Sequence, residues 1–172
     1  MSARFGSRLN KGFTLVEILI VVVILGILAA IVIPQFTSAS EAAKASSLVS
    51  QLQTIRSQLE FYQIQHNGNY PTLTGDVDTA WQFMTGTTNA AGELSGSDFG
   101  PYLQQAPANP FSNRDVSTLV AEVEGATTEL AGDPTAAGWA YNRTTGRIKA
   151  LVPASVNIAD LGLSSNDVIQ GQ

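Results

Sequence analysis

Three hydrophobic patterns follow one another along the chain. From Phe13 to Ile33 the residues are almost pure hydrocarbon. As a helix, those 21 residues span about 31 Å at 1.5 Å per residue, close to one hydrocarbon core. After Pro34 the pattern becomes amphipathic. Leu48, Leu52, Ile55, Leu59 and Tyr62 recur at spacings of 4, 3, 4 and 3, which marks one face of a helix. Gln51, Gln53, Arg56, Ser57, Gln58 and Glu60 largely fill its other sides. About two heptads is short for a coiled coil, so the stripe is expected to be a seam against the chain's own head. Small residues at Ser38, Ala39, Ala42, Ala43, Ala45, Ser46 and Ser47 allow close helix-to-helix approach, and Glu41–Lys44 and Arg56–Glu60 are spaced as helical ion pairs. Asn67-Gly68-Asn69-Tyr70-Pro71 should end the helix, since glycine permits a left-handed cap and proline forbids continuation. His66, the only histidine, falls in that last turn and is expected at the surface, compatible with the helix dipole.

The third pattern, Asn67–Gln172, is short-period and interrupted. Trp139-Ala140-Tyr141-Asn142, the turn Arg143-Thr144-Thr145-Gly146 and Arg147-Ile148-Lys149-Ala150-Leu151-Val152 predict a β-hairpin. Leu119–Val123 is a second strand candidate, with a helix as the alternative. A short helix is expected over Asp76–Met84 with Trp81 facing inward, and Gly86–Gly92 reads as loop. The predicted fold class is α+β: a long N-terminal helix, membrane-spanning in its first half and amphipathic in its second, packed on a small antiparallel sheet.

One residue breaks the apolar run. Glu17 places a carboxylate four residues into it, and an unpaired acid near the centre of a membrane helix costs roughly 2.5 kcal/mol or more. Cutting the chain supplies a partner. Cleavage after Gly12 gives Phe13 a new α-amino group with an ordinary pKa of about 7.7–8.0. That cation could neutralise Glu17 of the same copy or of a neighbour.

Gly12-Phe13-Thr14-Leu15-Val16-Glu17 followed by a long apolar run resembles the processing site of type IV pilins and type II secretion pseudopilins. The resemblance runs through Pro34 and the helix after it, over roughly the first 70 residues. It implies a prepilin peptidase that cuts between Gly12 and Phe13 and methylates the Phe13 amine, and an assembly role for Glu17 with Phe13. It further implies helix melting between Gly26 and Pro34 on assembly. Elementary chemistry agrees that these are weak points: Gly26 lowers helix propensity by about 1 kcal/mol relative to alanine, and Pro34 lacks a donor and crowds the preceding turn, so the helix is expected to be kinked in the isolated subunit and to melt locally only after assembly. The expected partners are further copies in a homo-oligomeric filament, minor pilins or pseudopilins, an inner-membrane assembly platform, and lipid before assembly. The expected organisation is a cytoplasmic leader, 1–12, that is removed; a helix, 13–66, with 13–33 as membrane span and filament core; and a globular head, 67–172. A looser resemblance to major pseudopilins lies in Asn69-Tyr70-Pro71, Tyr102-Leu103 and Pro107-Ala108-Asn109-Pro110-Phe111, where Asn109 and Phe111 replace the acid and tryptophan usual around the second proline.

Charge sharpens the topology. Arg4, Arg8 and Lys11 precede the apolar run and no acid does, which predicts a cytoplasmic N-terminus and a head that crosses outward; the resemblance then implies a single inner-membrane pass and, later, a periplasmic or extracellular filament. Without the first twelve residues, 6 basic face 14 acidic residues, a net of −8, which disfavours general nucleic-acid binding. The competing reading is a membrane-tethered or secreted binding protein with a conventional signal peptide, cut near Ser38-Ala39-Ser40. Against it, Ile18–Ile33 is 16 residues, beyond the usual apolar core of a signal peptide, about 7–15, and Glu17 goes unexplained.

Catalytic chemistry is scarce. The chain has no cysteine and one histidine, so disulfides, thiolate metal sites and histidine triads are out of reach. No enzymatic role, metal or other cofactor is expected. Asp76-Val77-Asp78 opens like a calcium loop but lacks the ligands that follow. The related secretion pseudopilins often hold calcium in a C-terminal loop. Here Asn157–Asp160 and Ser165–Asp167 supply only two carboxylates and read as solvated surface. Asn142-Arg143-Thr144 matches the N-glycosylation triplet, most simply by accident.

Overall fold

A computed structural model describes residues 12–76 and 79–171. Residues 1–11 of the leader, with Arg4, Arg8 and Lys11, and Val77-Asp78 of the acidic stretch lie outside those residues. The described chain divides into two compact units, parted between Ser40 and Glu41.

Helix α1 (Leu15–Gln65) runs through Gly26 and Pro34 without interruption. Its end is fixed as the sequence predicts. Asn67 and Gly68 both take left-handed φ values, 55° and 85°, and the Gly68 N–H donates to the Gln63 carbonyl at 3.0 Å, closing a Schellman-type cap.

In the second unit, Leu48, Leu52, Ile55, Leu59 and Tyr62 are all buried, so the amphipathic stripe is the seam against the head. The cover is a four-stranded sheet of β1 (Val120–Val123), β2 (Trp139–Asn142), β3 (Arg147–Val152) and β4 (Val168–Gln170), in that spatial order. The hairpin β2–β3 is antiparallel, with Trp139 opposite Ala150 and Asn142 opposite Arg147. The outer strands pair parallel, β1 with β2 and β4 with β3. The sheet is therefore mixed, and antiparallel only at its centre, because the long segments before β2 and after β3 cross over and do not fold back as hairpins. Trp139, Tyr141, Ile148, Ala150 and Val152 join the helix stripe in one core. Ala140 and Leu151, on the other face, pack in a smaller cluster with Ala137, Leu130 and Ile169. Covered on both faces, β2 reads as wholly apolar except Asn142. The hairpin turn needs its glycine: Gly146 has φ +67°, and a Cβ there would meet the Tyr70 ring.

The short helix α2 (Gln82–Thr85) covers only part of Asp76–Met84. Ahead of it the Asp76 carboxylate accepts from the Thr79 N–H and hydroxyl at 3.0 and 2.8 Å, which spends the local hydrogen bonds on a turn. Trp81 is buried as expected, and its indole N–H donates to the Thr118 carbonyl at 2.7 Å.

Two expectations are corrected. His66 is buried, only 2 % exposed. Its ring stacks on Tyr62 with centroids 3.8 Å apart, its Nδ1 meets the Tyr62 carbonyl at 2.8 Å, and its Nε2 meets the Thr88 hydroxyl at 2.9 Å. The 86–102 segment, tied by a Thr88–Phe99 bridge, supplies this cover. Arg56 does not serve Glu60. Its guanidinium pairs with Asp167 at 2.7 Å and donates to the carbonyls of Ile148 and Asn166 at 3.0 and 3.2 Å. Glu60 accepts from the Tyr70 hydroxyl at 2.8 Å. Asp167, at the end of a tail that is otherwise largely exposed, is thereby clamped to the helix, since one planar guanidinium satisfies three acceptors that an intrahelical pair would leave to water. Asn142 of the glycosylation triplet is buried, and its amide donates to the Gly125 and Thr128 carbonyls at 2.9 and 3.2 Å.

Candidate functional site: the start of the apolar helix

The first unit has one physical peculiarity. Every large apolar side chain from Phe13 to Ile33 is at least half exposed, and this is the one helix among the described residues long and apolar enough to cross a membrane. Such a surface requires lipid or other helices around it.

At its start sits the charge. Thr14 and Glu17 form a reciprocal capping box. The Glu17 carboxylate accepts from the Thr14 N–H and the Thr14 hydroxyl, both at 3.0 Å, while the Glu17 N–H donates to the Thr14 hydroxyl oxygen at 3.2 Å. Two orphan donors of the first turn are satisfied, and the carboxylate is drawn back toward the Gly12–Phe13 bond. A cap of this type contributes about 0.5–2 kcal/mol, and acid in the first turn also suits the positive end of the helix dipole.

Phe13 is 82 % exposed, and Gly12 is exposed with open space around its Cα, so the bond between them is accessible. In the uncut chain residue 13 carries an amide and no cation, and Glu17 is held by Thr14 instead. The structure thus brings Glu17 to within one residue of Phe13. Gly26 and Pro34 lie exposed within the uninterrupted helix. Past Pro34, the hydroxyls of Thr37 and Ser38 donate to the carbonyls of Ile33 and Pro34, both at 3.1 Å, bonds that slightly loosen a helix.

Thr14 is the functional residue that sequence reasoning passed over. Its signal was present: Thr14-Leu15-Val16-Glu17 spells the capping box ahead of an apolar run. In the head, the missed residue is Asn109. Buried between two prolines, its amide donates to the carbonyls of Gly138 and Leu151, both at 2.8 Å, and its carbonyl accepts from Phe111 N–H at 2.9 Å. Among the described residues no cluster of three or more histidine or acidic side chains could hold a metal ion.

An uncovered apolar helix capped by an acid next to an accessible bond, carrying a small α+β head on its second half, defines a membrane-anchored structural subunit of the prepilin class. Comparison with known proteins bears this out. The prokaryotic N-terminal methylation motif matches residues 7–33. Type II secretion system core protein G of Aeromonas hydrophila is 33 % identical over 106 residues, covering 62 % of this chain and 71 % of the relative. The Pseudomonas aeruginosa protein of that name is 34 % identical over the same length and coverage, and that of Dickeya chrysanthemi is 43 % identical over 65 residues, 38 % of this chain and 42 % of the relative. No solved structure matches significantly. The chain belongs to the family of type II secretion system core protein G, the pseudopilins, and is a structural filament subunit.

Proposed function

We propose that this protein is the repeating subunit of a type II secretion pseudopilus, inserted once in the inner membrane with its N-terminus cytoplasmic. A prepilin peptidase cuts between Gly12 and Phe13 and methylates the Phe13 amine. An inner-membrane platform then moves the subunit out of lipid into a periplasmic filament, together with minor pseudopilins. Its work is mechanical, and no catalytic step is assigned to it. The leader (1–12), helix (13–66) and head (67–172) act as separate functional segments.

One observation carries this reading: the Glu17 carboxylate, held by Thr14 at the head of a bare apolar helix. In the uncut chain the capping box makes the carboxylate tolerable. After cleavage the Phe13 ammonium arises one residue from Thr14, and a neighbouring copy offers the same group. Exchanging the cap for that cation sets axial register, because a mis-staggered subunit leaves a charge in hydrocarbon without a partner. Gly26 and Pro34 are where the helix opens as the copies pack.

The test is Glu17→Ala. Membrane insertion and cleavage should persist, since the apolar run and the Gly12–Phe13 bond are intact, while filament yield falls at least tenfold. Normal filaments from this variant would refute the pairing role.

A further inference from the structure

Resting on the filament reading, we infer that a basic pocket at the start of β3, formed by Arg56, Arg147 and Lys149, receives a carboxylate from the head of a neighbouring copy. The pocket has a volume of about 220 Å³, enough for one carboxylate side chain, and Ile148 and Asn166 complete its walls. Arg147 and Lys149 stand two residues apart on the strand and so project from the same face. Arg56 reaches over from α1, held by Asp167 and by the Ile148 and Asn166 carbonyls. The Lys149 ammonium donates to the Ser165 carbonyl at 2.7 Å, which fixes its place without cancelling its charge. The Arg147 guanidinium has no partner among the described residues. Asp167 is thus the one carboxylate set against three cations, and two positive charges stay unmatched. Half of the 6 basic residues left after the leader is removed gather at this one place.

The same chain supplies the complement. Residues 67–140 carry nine acidic residues against one basic residue, Arg114. Among the acids, Asp98, Asp115 and Glu129 are exposed, and their carboxylates have no partner among the described residues. None of the three lines the pocket. Each head therefore presents free carboxylates in one place and unmatched cations in another. A free oxyanion approaching a chain of net −8 is repelled at long range. A filament neighbour is held in position by its helix, so its carboxylates are offered at a high effective concentration. Setting the basic pocket against the acidic stretch brings opposite charges together where two acidic heads would otherwise repel, and such complementarity fixes register more than it adds affinity. The two patches are unlike, so the contact is head-to-tail and repeats from copy to copy.

Lysine chemistry tests this, because the only lysines are Lys11, in the leader, Lys44, exposed on α1, and Lys149. In the variant Lys44→Arg, Lys149 is the one lysine of the processed chain. A carbodiimide joins an amine to a carboxylate with no spacer, so it links only groups already in contact. Filaments of Lys44→Arg treated with it should give a ladder of dimers, trimers and higher species on a denaturing gel. Mass spectrometry of the dimer should find Lys149 joined to Asp98, Asp115 or Glu129. Filaments seen by electron microscopy that yield only monomer overturn the contact and leave the filament reading standing, as do linkages that join Lys149 to none of those three. Absence of filaments from the unmodified chain in the same preparation overturns both. As a second variant, Arg147→Glu should keep the thermal midpoint of the head and lower polymer yield at least threefold. Unchanged yield contradicts the contact.

Discussion

The two halves of α1 share one backbone and meet opposite fates. Between Glu41 and Gln65 the helix carries a narrow apolar stripe, and Leu48, Leu52 and Leu59 are wholly buried by the chain's own sheet. Between Leu15 and Ile33 it is apolar all round but for Glu17, and none of it is covered. Secondary structure alone therefore says little about where stability comes from. The second half is stabilised from within the subunit, by about 1.5–3 kcal/mol for each large side chain removed from water. The first half has no cover within the subunit, and its apolar surface has to be covered from outside. This pseudopilin is built from that contrast: a head with its own core, joined to a helix left bare.

The largest effect that breaks the contrast is a cavity. Leu52→Ala should cost the head about 2–5 kcal/mol, lowering its thermal midpoint in detergent by several degrees, whereas Val22→Ala in the uncovered half should leave that midpoint unchanged. An equal shift from both would mean that the head depends on the apolar half. Next is the polar tie that keeps the sheet closed over the seam. Asn109→Ala takes the amide donor from the Leu151 carbonyl and one of two donors from the Gly138 carbonyl, which keeps the Leu151 N–H, and should cost roughly 1–3 kcal/mol in chemical denaturation. A loss under half a kilocalorie would remove Asn109 from the fold's supports.

The smallest effect is a pH dependence of the head itself, read at Glu122 on β1. Burial holds the Glu122 carboxyl above its ordinary pKa, and the Leu73 N–H at 2.5 Å and Arg143 at 3.7 Å offset only part of this. Folded Glu122 thus binds its proton more tightly than the unfolded chain does. Its contribution is full below the usual glutamate value of about 4.3 and is lost as pH rises through the elevated one. Between pH 4 and 7 the wild-type head should lose more stability than Glu122→Gln, as read from unfolding midpoints. Parallel pH profiles would remove Glu122 as the source.

Much of this was legible in the residues, and the failures are instructive. The apolar run, the stripe, the cap at Asn67-Gly68 and the hairpin each follow from local period and turn chemistry, and the structure has them where the sequence puts them. What escaped were long-range polar partners. Arg56 had a plausible partner four residues away and took one 111 residues away, because Asp167 and two carbonyls offer it more. The parallel pairing of β1 and β4 depends on crossovers that no short window contains. His66 is different, since its signal was there: it lies four residues after Tyr62 and continues the buried stripe. At the site, Gly12, Phe13 and Glu17 stood out by motif, while Thr14, the residue that holds the acid, had to be seen in place.

Residue 13 is where the proposal is most exposed to test. Mass spectrometry of the protein recovered from assembled filaments should find a mature chain beginning with N-methylated Phe13, with residues 1–12 gone. Normal filaments whose subunits still retain Met1 through Gly12 would show that Glu17 needs no freed amine, and the electrostatic basis of assembly proposed for this pseudopilin would be wrong.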